Sequence, residues 1–123
     1  MVPEILVAGA TGRTGKIIVD KLIHMGDKPR VLVRDLPSAR IIWKENVAYT
    51  QGDVREFQTL LTAMDGVIAI ISAIGAQSPV GKNCPKRVGY EGVVNMVQAA
   101  CASGVKRFIL ISSIAVTHPE HPV

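Results

Sequence analysis

Aromatic residues make up only 4% of this 123-residue chain, so its core must be built from Ile, Val, Leu and Ala. The two cysteines, Cys84 and Cys101, supply neither a disulfide framework nor the paired spacing of a metal site, and we expect no metal. We expect Cys101 to be a small buried side chain within a helix. The chain contains no apolar run of the ~20 residues that span a bilayer, which predicts no membrane span.

Charge of one sign is not concentrated anywhere in the chain. The formal net charge is +4, but the densest basic group, Lys82, Lys86 and Arg87, has little aromatic interleaving. We interpret that group as a solvated loop and expect no nucleic-acid partner. Residues 1–4 lead directly into an apolar run, which is not the pattern of a secretory signal. The predicted location is cytoplasmic, or an organelle stroma or matrix after removal of a targeting peptide.

What the chain does contain is an alternation of short apolar runs with amphipathic segments. The predicted strands are Glu4–Ala8, Arg30–Val33, Val47–Gln51, Val67–Ile71 and Arg107–Ile111. The predicted helices are Thr14–Met25, Pro37–Trp43, a third that begins with Asp53 as its cap, and Lys86–Ser103. In the fourth helix one stripe should be buried, formed by Val93, Val97, Ala100 and Gly104. This alternation predicts a parallel α/β sheet with helices on both faces.

A glycine-rich segment, Gly9-Ala10-Thr11-Gly12-Arg13-Thr14-Gly15, joins the first predicted strand to the first predicted helix. Glycines at such a turn permit tight folding and let a phosphate approach backbone N–H groups. Gly9 can form the turn, Gly12 can admit a pyrophosphate, and Gly15 can let the helix pack closely on the strand; a purely structural turn is the alternative. With right-handed crossovers, this arrangement predicts a Rossmann-type sheet of five strands in the order 3-2-1-4-5.

Arg34 follows the second strand, where the adenosine ribose of a bound dinucleotide would lie. An acidic residue there binds the 2′-hydroxyl of NAD, whereas an arginine accommodates the 2′-phosphate of NADP. Arg34 therefore favours NADP over NAD as the cofactor, and Arg13 in the glycine loop can approach the same phosphate. The alternative, that Asp35 faces the ribose, would favour NAD.

Asp53 and Val54 follow the third strand. The Asp53 carboxylate can accept a hydrogen bond from the adenine amino group, and the Val54 backbone can reach a ring nitrogen. The alternative role for Asp53 is the helix cap, and the two roles can coexist because a carboxylate offers several acceptor sites.

Small and hydroxyl side chains follow the fourth and fifth strands. Ser72, Ala73 and Ile74 would let the ribose and nicotinamide of a cofactor lie against the backbone. Ser112 and Ser113 are the candidate catalytic residues, since a serine at that height points toward the reacting end of a bound nicotinamide. The alternative for both serines is a hydrogen bond to nearby backbone.

Taken together, these motifs resemble the short-chain dehydrogenase/reductase superfamily, and more narrowly its atypical NmrA-like, NAD(P)H-binding branch with flavin and biliverdin reductase relatives. The resemblance is carried by Gly9–Gly15, Val33–Asp35, Gly52–Val54, Tyr90–Asn95 and Gly104–Ser113. It implies an NADP-dependent oxidoreductase that passes hydride between the nicotinamide and a small acceptor, which is a quinone, a flavin or a carbonyl. The cofactor contacts that it implies are Gly9, Thr11, Gly12, Arg13, Thr14, Gly15, Arg34, Asp53, Val54, Ser72, Ala73 and Ile74, with Asn95 bracing the strands.

The chain departs from that family in its length, because the relatives are considerably longer. The Tyr-x-x-x-Lys pair of catalytic members would follow Ser113 and is absent, as are the last strands and helices of the full fold. We therefore interpret residues 1–123 as a truncated or minimal NAD(P)-binding Rossmann domain. The alternatives to an oxidoreductase are a non-catalytic NADP(H)-binding redox sensor, regulator or assembly factor, and a fragment of a nucleotide-sugar epimerase or dehydratase.

The predicted topology leaves one part of the sheet uncovered. Helices in the first two crossovers cover strands 1 to 3 on one face, and helices in the next two cover the opposite face. The first face of strands 4 and 5 is then bare, which exposes alternate residues of Val67–Ile71 and Phe108–Ile111. A homodimer, a partner protein or the missing C-terminal helices would cover such an apolar patch.

Overall fold

A computed structural model describes residues 5–74 and 91–111, and it contains one parallel sheet. Its strands are β1 (Ile5–Ala8), β2 (Arg30–Val33), β3 (Ala48–Gln51), β4 (Ala69–Ser72) and β5 (Arg107–Leu110). The helices between them are α1 (Arg13–His24), α2 (Leu36–Trp43), α3 (Phe57–Ala63) and α4 (Gly92–Ser103). The strand order is β3-β2-β1-β4-β5, which confirms the predicted Rossmann-type α/β fold.

The apolar core consists of two clusters, one on each face of the sheet. Alternate residues of a strand point to opposite faces, so Leu6 and Val7 of β1 enter different clusters. Val7 packs with residues of α1 and α2, including Val19 and Trp43. Leu6 packs with residues of α3 and α4, including Met96. Both faces of β1 are therefore dry, which explains why its sequence is a continuous apolar run.

The third helix begins later than the sequence pattern predicts. Asp53 does not cap it: α3 starts at Phe57, its N-cap residue is Glu56, and no side chain caps that end. The Asp53 carboxylate instead accepts a hydrogen bond from the backbone N–H of Arg55, and the Asp53 carbonyl accepts one from the Glu56 N–H. The chain thus makes an Asx-type turn before the helix, because a short acidic side chain can bond to backbone two residues ahead.

The buried face of α4 also differs from the prediction. Of the predicted stripe, Ala100 is buried but Val97 is exposed, and the other buried residues are Gly92, Met96 and Ala99. Small residues determine which face of α4 is buried, because a β-carbon placed on Gly92 would lie 2.8 Å from the Val54 side chain. Cys101 lies on the opposite side of the helix and is exposed, so its prediction as a buried residue is wrong. The predicted first turns of this helix and Cys84 lie outside the described residues.

The sheet face predicted to be bare carries exposed apolar side chains on β5 and just after it. Ile109 is 48% exposed and Ile111 is 39% exposed. Phe108 points to the other face and packs against the cluster beneath α3 and α4. Before β4, Val67 is buried in that same cluster while Ile68 is exposed. Of the described helices, none is both long and apolar enough to cross a membrane.

Candidate functional site

The glycine-rich segment forms a tight loop from β1 into α1. Gly9 has a φ of +74°, and a β-carbon there would lie 2.6 Å from the carbonyl oxygen of Ala73, just beyond β4. A β-carbon on Gly15 would lie 1.9 Å from the Gly9 carbonyl oxygen. By contrast, a β-carbon on Gly12 would meet that oxygen at an ordinary 3.5 Å. Internal packing therefore requires glycine at positions 9 and 15, whereas the bare backbone of Gly12 lies at the surface of the loop.

The amino end of α1 is open to an anion. Gly12 is its N-cap residue, no side chain caps that end, and the first turn contains no acidic residue. The Gly12 carbonyl accepts the first helical hydrogen bond, from the Lys16 N–H at 2.9 Å. The N–H groups of a helix's first turn have no partner within the helix, and the helix dipole adds partial positive charge there. Exposed side chains surround this end, namely Thr11, Arg13 and Thr14.

Arg34 lies at the carboxyl end of β2 with its side chain exposed. Its carbonyl accepts a hydrogen bond of 3.1 Å from the Gln51 side chain at the end of β3, which fixes its backbone. The neighbouring Asp35 carboxylate accepts a hydrogen bond of 2.7 Å from the Ser38 hydroxyl in α2. The Asp35 carboxylate is thus hydrogen-bonded within the first turn of α2, whereas the Arg34 side chain extends into solvent.

Asp53 lies next to Arg34, at the carboxyl end of β3, and is held by Arg55. The Arg55 side chain donates to both Asp53 oxygens, from Nε to Oδ1 at 3.1 Å and from Nη2 to Oδ2 at 2.7 Å. These hydrogen bonds hold the pKa of Asp53 below its ordinary value. Partial burial of the carboxyl opposes that shift, while the Arg55 backbone N–H and the charges of Arg55 and Arg34 add to it.

The backbone around Val54 is anchored from two helices. The Thr59 hydroxyl of α3 accepts a hydrogen bond from the Asp53 N–H at 3.0 Å and lies 2.7 Å from the Glu56 carbonyl, to which it can donate. The Asn95 side chain of α4 donates to the Val54 carbonyl at 2.9 Å. This segment therefore presents the Asp53 carboxylate and the Val54 peptide in fixed positions before any ligand arrives.

An open depression of about 400 Å³ connects these groups at the ends of β2 and β3. Its lining residues are Arg34, Gln51, Gly52, Asp53, Glu56 and Thr59. Two of the predicted cofactor residues, Arg34 and Asp53, thus share one surface. The depression joins a cation suited to a phosphate with a carboxylate that can accept from an amino group.

The last residue of β4, Ser72, and the two residues that follow it lie near the glycine loop, with the Ala73 and Ile74 backbone closest to Gly9. Ala73 donates its backbone N–H to the Ala8 carbonyl at 2.9 Å, which extends the pairing of β4 with β1. Ser72 is fully buried, and its hydroxyl has no hydrogen-bond partner within the described part of the chain. Ile74 is half-buried against the cluster beneath α3 and α4. The candidate catalytic residues Ser112 and Ser113 lie outside the described residues.

Sequence reasoning missed Arg55 and Thr59. The signal for Arg55 was local, because an aspartate in a turn commonly bonds to the backbone two residues ahead and brings that residue's side chain close. Thr59 gave no such signal, since its partner depends on where α3 begins. Both residues act on Asp53 and leave its predicted position in the site unchanged.

A family model described as NAD(P)H-binding matches residues 9–123. The chain belongs to this NAD(P)H-binding family. The match includes the glycine loop, Arg34, Asp53 and the residues after β4, which together make up the site described above. The sequence-based resemblance to dehydrogenases of this superfamily is thereby confirmed, while the family description names NAD and NADP alike.

Several known proteins are similar to this chain over most of its length. An uncharacterized chloroplastic protein of Arabidopsis thaliana is 36% identical over 92% of the chain and 42% of its own length. The photosystem II assembly factor Ycf39 of Synechocystis is 29% identical over 98% of the chain and 37% of its own length. The structure of the NADPH-dependent quinone oxidoreductase QOR2 of Escherichia coli, complexed with NADPH, superposes with a TM-score of 0.68 at 25% identity. That superposition covers 86% of the chain and 35% of QOR2. The chain thus spans about two fifths of the length of these curated relatives.

Proposed function

We propose that this NAD(P)H-binding chain binds NADP(H) across the carboxyl ends of its strands. The proposal is carried by the convergence of Arg34 and Asp53 on one depression at the ends of β2 and β3, while the glycine loop follows the neighbouring strand β1. The dinucleotide's two ends would then lie at opposite sides of the amino end of α1, with the adenosine toward β3. In parallel α/β sheets, ligands bind at this edge, where the strand order reverses.

The pyrophosphate would lie at the amino end of α1. Gly12 is the N-cap residue of α1 and has no side chain, so its backbone is uncovered at the start of the helix. A phosphate oxygen can approach such a backbone to hydrogen-bonding distance and is attracted by the helix dipole. The absence of an acidic residue in the first turn leaves this attraction unopposed within the helix itself.

The 2′-phosphate of NADP(H) would face Arg34. Its guanidinium is exposed, planar and permanently charged, which suits a phosphate dianion. Asp35, the alternative residue to contact the ribose, accepts a hydrogen bond from the Ser38 hydroxyl. The adenine amino group would donate to Asp53, whose carboxylate retains a free acceptor site after its contacts with Arg55.

The reaction proposed for the whole protein is hydride transfer from the nicotinamide to a small acceptor, a quinone, a flavin or a carbonyl. The hydride and one proton would reduce the acceptor by two electrons and leave NADP⁺. The likeness to an NADPH-dependent quinone oxidoreductase supports this proposal. The cofactor supplies the hydride, while the protein supplies its position and a sheltered site. Ser113 and Ser112 remain the predicted catalytic residues.

A second candidate is an NADP(H)-binding assembly factor without turnover. The similarity to the photosystem II assembly factor Ycf39 over 98% of the chain favours it. The Arabidopsis relative carries a chloroplastic designation, which supports the organellar alternative among the predicted locations. NADPH oxidation in the presence of quinones, flavins and carbonyls separates the two candidates, because an assembly factor of this kind would bind NADPH without consuming it.

The binding proposal is tested by titrating the chain with NADPH and NADH and repeating both titrations with Arg34→Ala. We expect the substitution to lower NADPH affinity about tenfold or more, since a charge-assisted phosphate contact is lost, and to change NADH affinity little. Arg107→Ala, an exposed arginine at the opposite edge of the sheet, is the matched control. Equal affinity of the unmodified chain for both cofactors would contradict the assignment of Arg34.

A further inference from the structure

Arg55 holds the Asp53 carboxylate through three hydrogen bonds. Its backbone N–H donates to Oδ1 at 2.9 Å, its Nε to the same oxygen at 3.1 Å and its Nη2 to Oδ2 at 2.7 Å. The side-chain pair is a fork, in which two parallel N–H groups meet two carboxylate oxygens. The Arg55 guanidinium therefore neutralises Asp53 directly, within a turn that also fixes the backbone of both residues.

The neutralisation matters because Asp53 shares its surroundings with Arg34. Both residues line the same depression, and the positive charge of Arg34 acts on the Asp53 carboxylate. Glu56 lines the depression as well. The formal charges of Arg34, Arg55, Asp53 and Glu56 add up to zero, so without Arg55 the group would carry one net negative charge. Such a group would repel a phosphate dianion.

We propose that Arg55 is a positioning residue that sets the preference for NADP(H) over NAD(H) by occupying the Asp53 carboxylate. The proposal rests on the proposed function, in which Arg34 faces the 2′-phosphate. With Asp53 paired to Arg55, the guanidinium of Arg34 stays available to that phosphate. Without Arg55, Asp53 would pair with Arg34 instead, so the guanidinium would be less available to the phosphate and the group as a whole would carry a net negative charge.

Arg55 pairs with the Asp53 carboxylate without preventing that carboxylate from binding the adenine amino group. A carboxylate has about four acceptor sites, and Arg55 uses three of those on Asp53. The remaining site, on Oδ2, can accept from the adenine amino group while the fork stays intact. A carboxylate covered by a bound base also loses water, and the paired guanidinium compensates its charge in that state. Arg55 therefore supports the base contact and the phosphate contact together.

The test measures the ratio of NADPH affinity to NADH affinity at low ionic strength. We expect Arg55→Ala to lower NADPH affinity about fivefold and NADH affinity less than about twofold, since the exposed charges are partly screened. In the double variant Asp53→Asn/Arg55→Ala the ratio should return to that of Asp53→Asn alone, because no carboxylate is left to neutralise. The effect should shrink when the salt concentration is raised to about 0.5 M.

Arg107→Ala serves as the control for removing an arginine elsewhere in the chain, and it should leave the ratio unchanged. Arg55→Gln, which keeps donor groups without the charge, gives the same measurement if Arg55→Ala does not fold. An unchanged ratio in the folded Arg55 variants, with Arg34→Ala still lowering it, overturns this inference and leaves the proposed function intact. A loss that persists in the double variant overturns it too, because Arg55 would then act without Asp53. A ratio of one in the unmodified chain overturns both.

Discussion

The glycine loop gives a prediction that separates packing from ligand binding, by comparing Gly12→Ala with Gly15→Ala. A β-carbon on Gly12 makes an ordinary contact of 3.5 Å, and its φ of −78° suits any residue. We expect Gly12→Ala to change the free energy of unfolding by less than about 0.5 kcal/mol, since a slightly poorer cap is offset by a less flexible unfolded chain. Affinity for NADPH should nevertheless fall about tenfold or more, because the methyl group would keep a phosphate oxygen from the backbone.

Gly15→Ala should behave in the opposite way. Its β-carbon would lie 1.9 Å from the Gly9 carbonyl oxygen and 2.7 Å from the Ala10 Cα, both of them backbone atoms that cannot rotate away. Relieving the overlap requires the loop or α1 to move. We expect a destabilisation of about 1–3 kcal/mol, net of the better helix propensity of alanine. The melting temperature of a chain of this length would then fall by roughly 4 °C for each kcal/mol lost.

The unfolding assay has a convenient probe in Trp43, the chain's single tryptophan. Trp43 ends α2 and is buried in the apolar cluster between α1, α2 and the sheet. Its fluorescence should therefore report the loss of this cluster in urea. NADPH affinity is measured in parallel by titration without denaturant. A Gly12→Ala protein with unchanged stability and unchanged NADPH affinity would refute the placement of the pyrophosphate. A Gly15→Ala protein as stable as the parent would refute the packing argument.

Two further predictions concern the segment around Asp53. Thr59→Val keeps the shape of the side chain but leaves the Asp53 N–H without its acceptor, so urea unfolding should show a loss of about 1–2 kcal/mol, and an unchanged midpoint would contradict this role. The pKa of Asp53 lies below its ordinary value of 3.8, so its pairing contributes stability above that pH and loses it as the pH falls through the lower folded-state pKa. Acid titration of unfolding should therefore show a steeper loss for the parent than for Asp53→Asn below about pH 4, and parallel curves would contradict the pairing.

Strand positions and order followed from the sequence because parallel strands buried on both faces are continuous apolar runs. β2 was predicted to the residue. β4 starts two residues later and ends one residue later than predicted, because Val67 packs inward and the ladder starts at Ala69. Helix faces were less predictable where packing depends on small residues. On α4, the larger Val97 suggested that it would be buried with Ala100, but Gly92 approaches Val54 closely, and Met96 and Ala99 are buried with Ala100 instead.

Some residues of the candidate site could be predicted from the sequence, and others could not. Gly9, Arg34 and Asp53 could be placed because each lies within two residues of the end of a strand, and parallel strands end at one edge of the sheet. Arg55 was missed, because the sequence pattern was interpreted as a helix cap where the chain makes a turn. The separate roles of the three glycines were also predicted from their spacing. The distances to Ala73 and Gly9 agree with the packing roles of Gly9 and Gly15, and the pyrophosphate contact of Gly12 stays a prediction.

The contact of Gly9 with Ala73 also determines when the site can exist during folding. The glycine motif follows β1, yet its loop packs against the Ala73 carbonyl just beyond β4. Three helices (α1, α2 and α3) and two strands (β2 and β3) lie between these positions in the chain. Local contacts form quickly, whereas a contact between such distant positions waits until the intervening chain is ordered. The β1–α1–β2 unit alone would carry the motif without its final geometry. A dinucleotide that binds the finished loop therefore stabilises the central sheet as a whole, rather than its first βαβ unit.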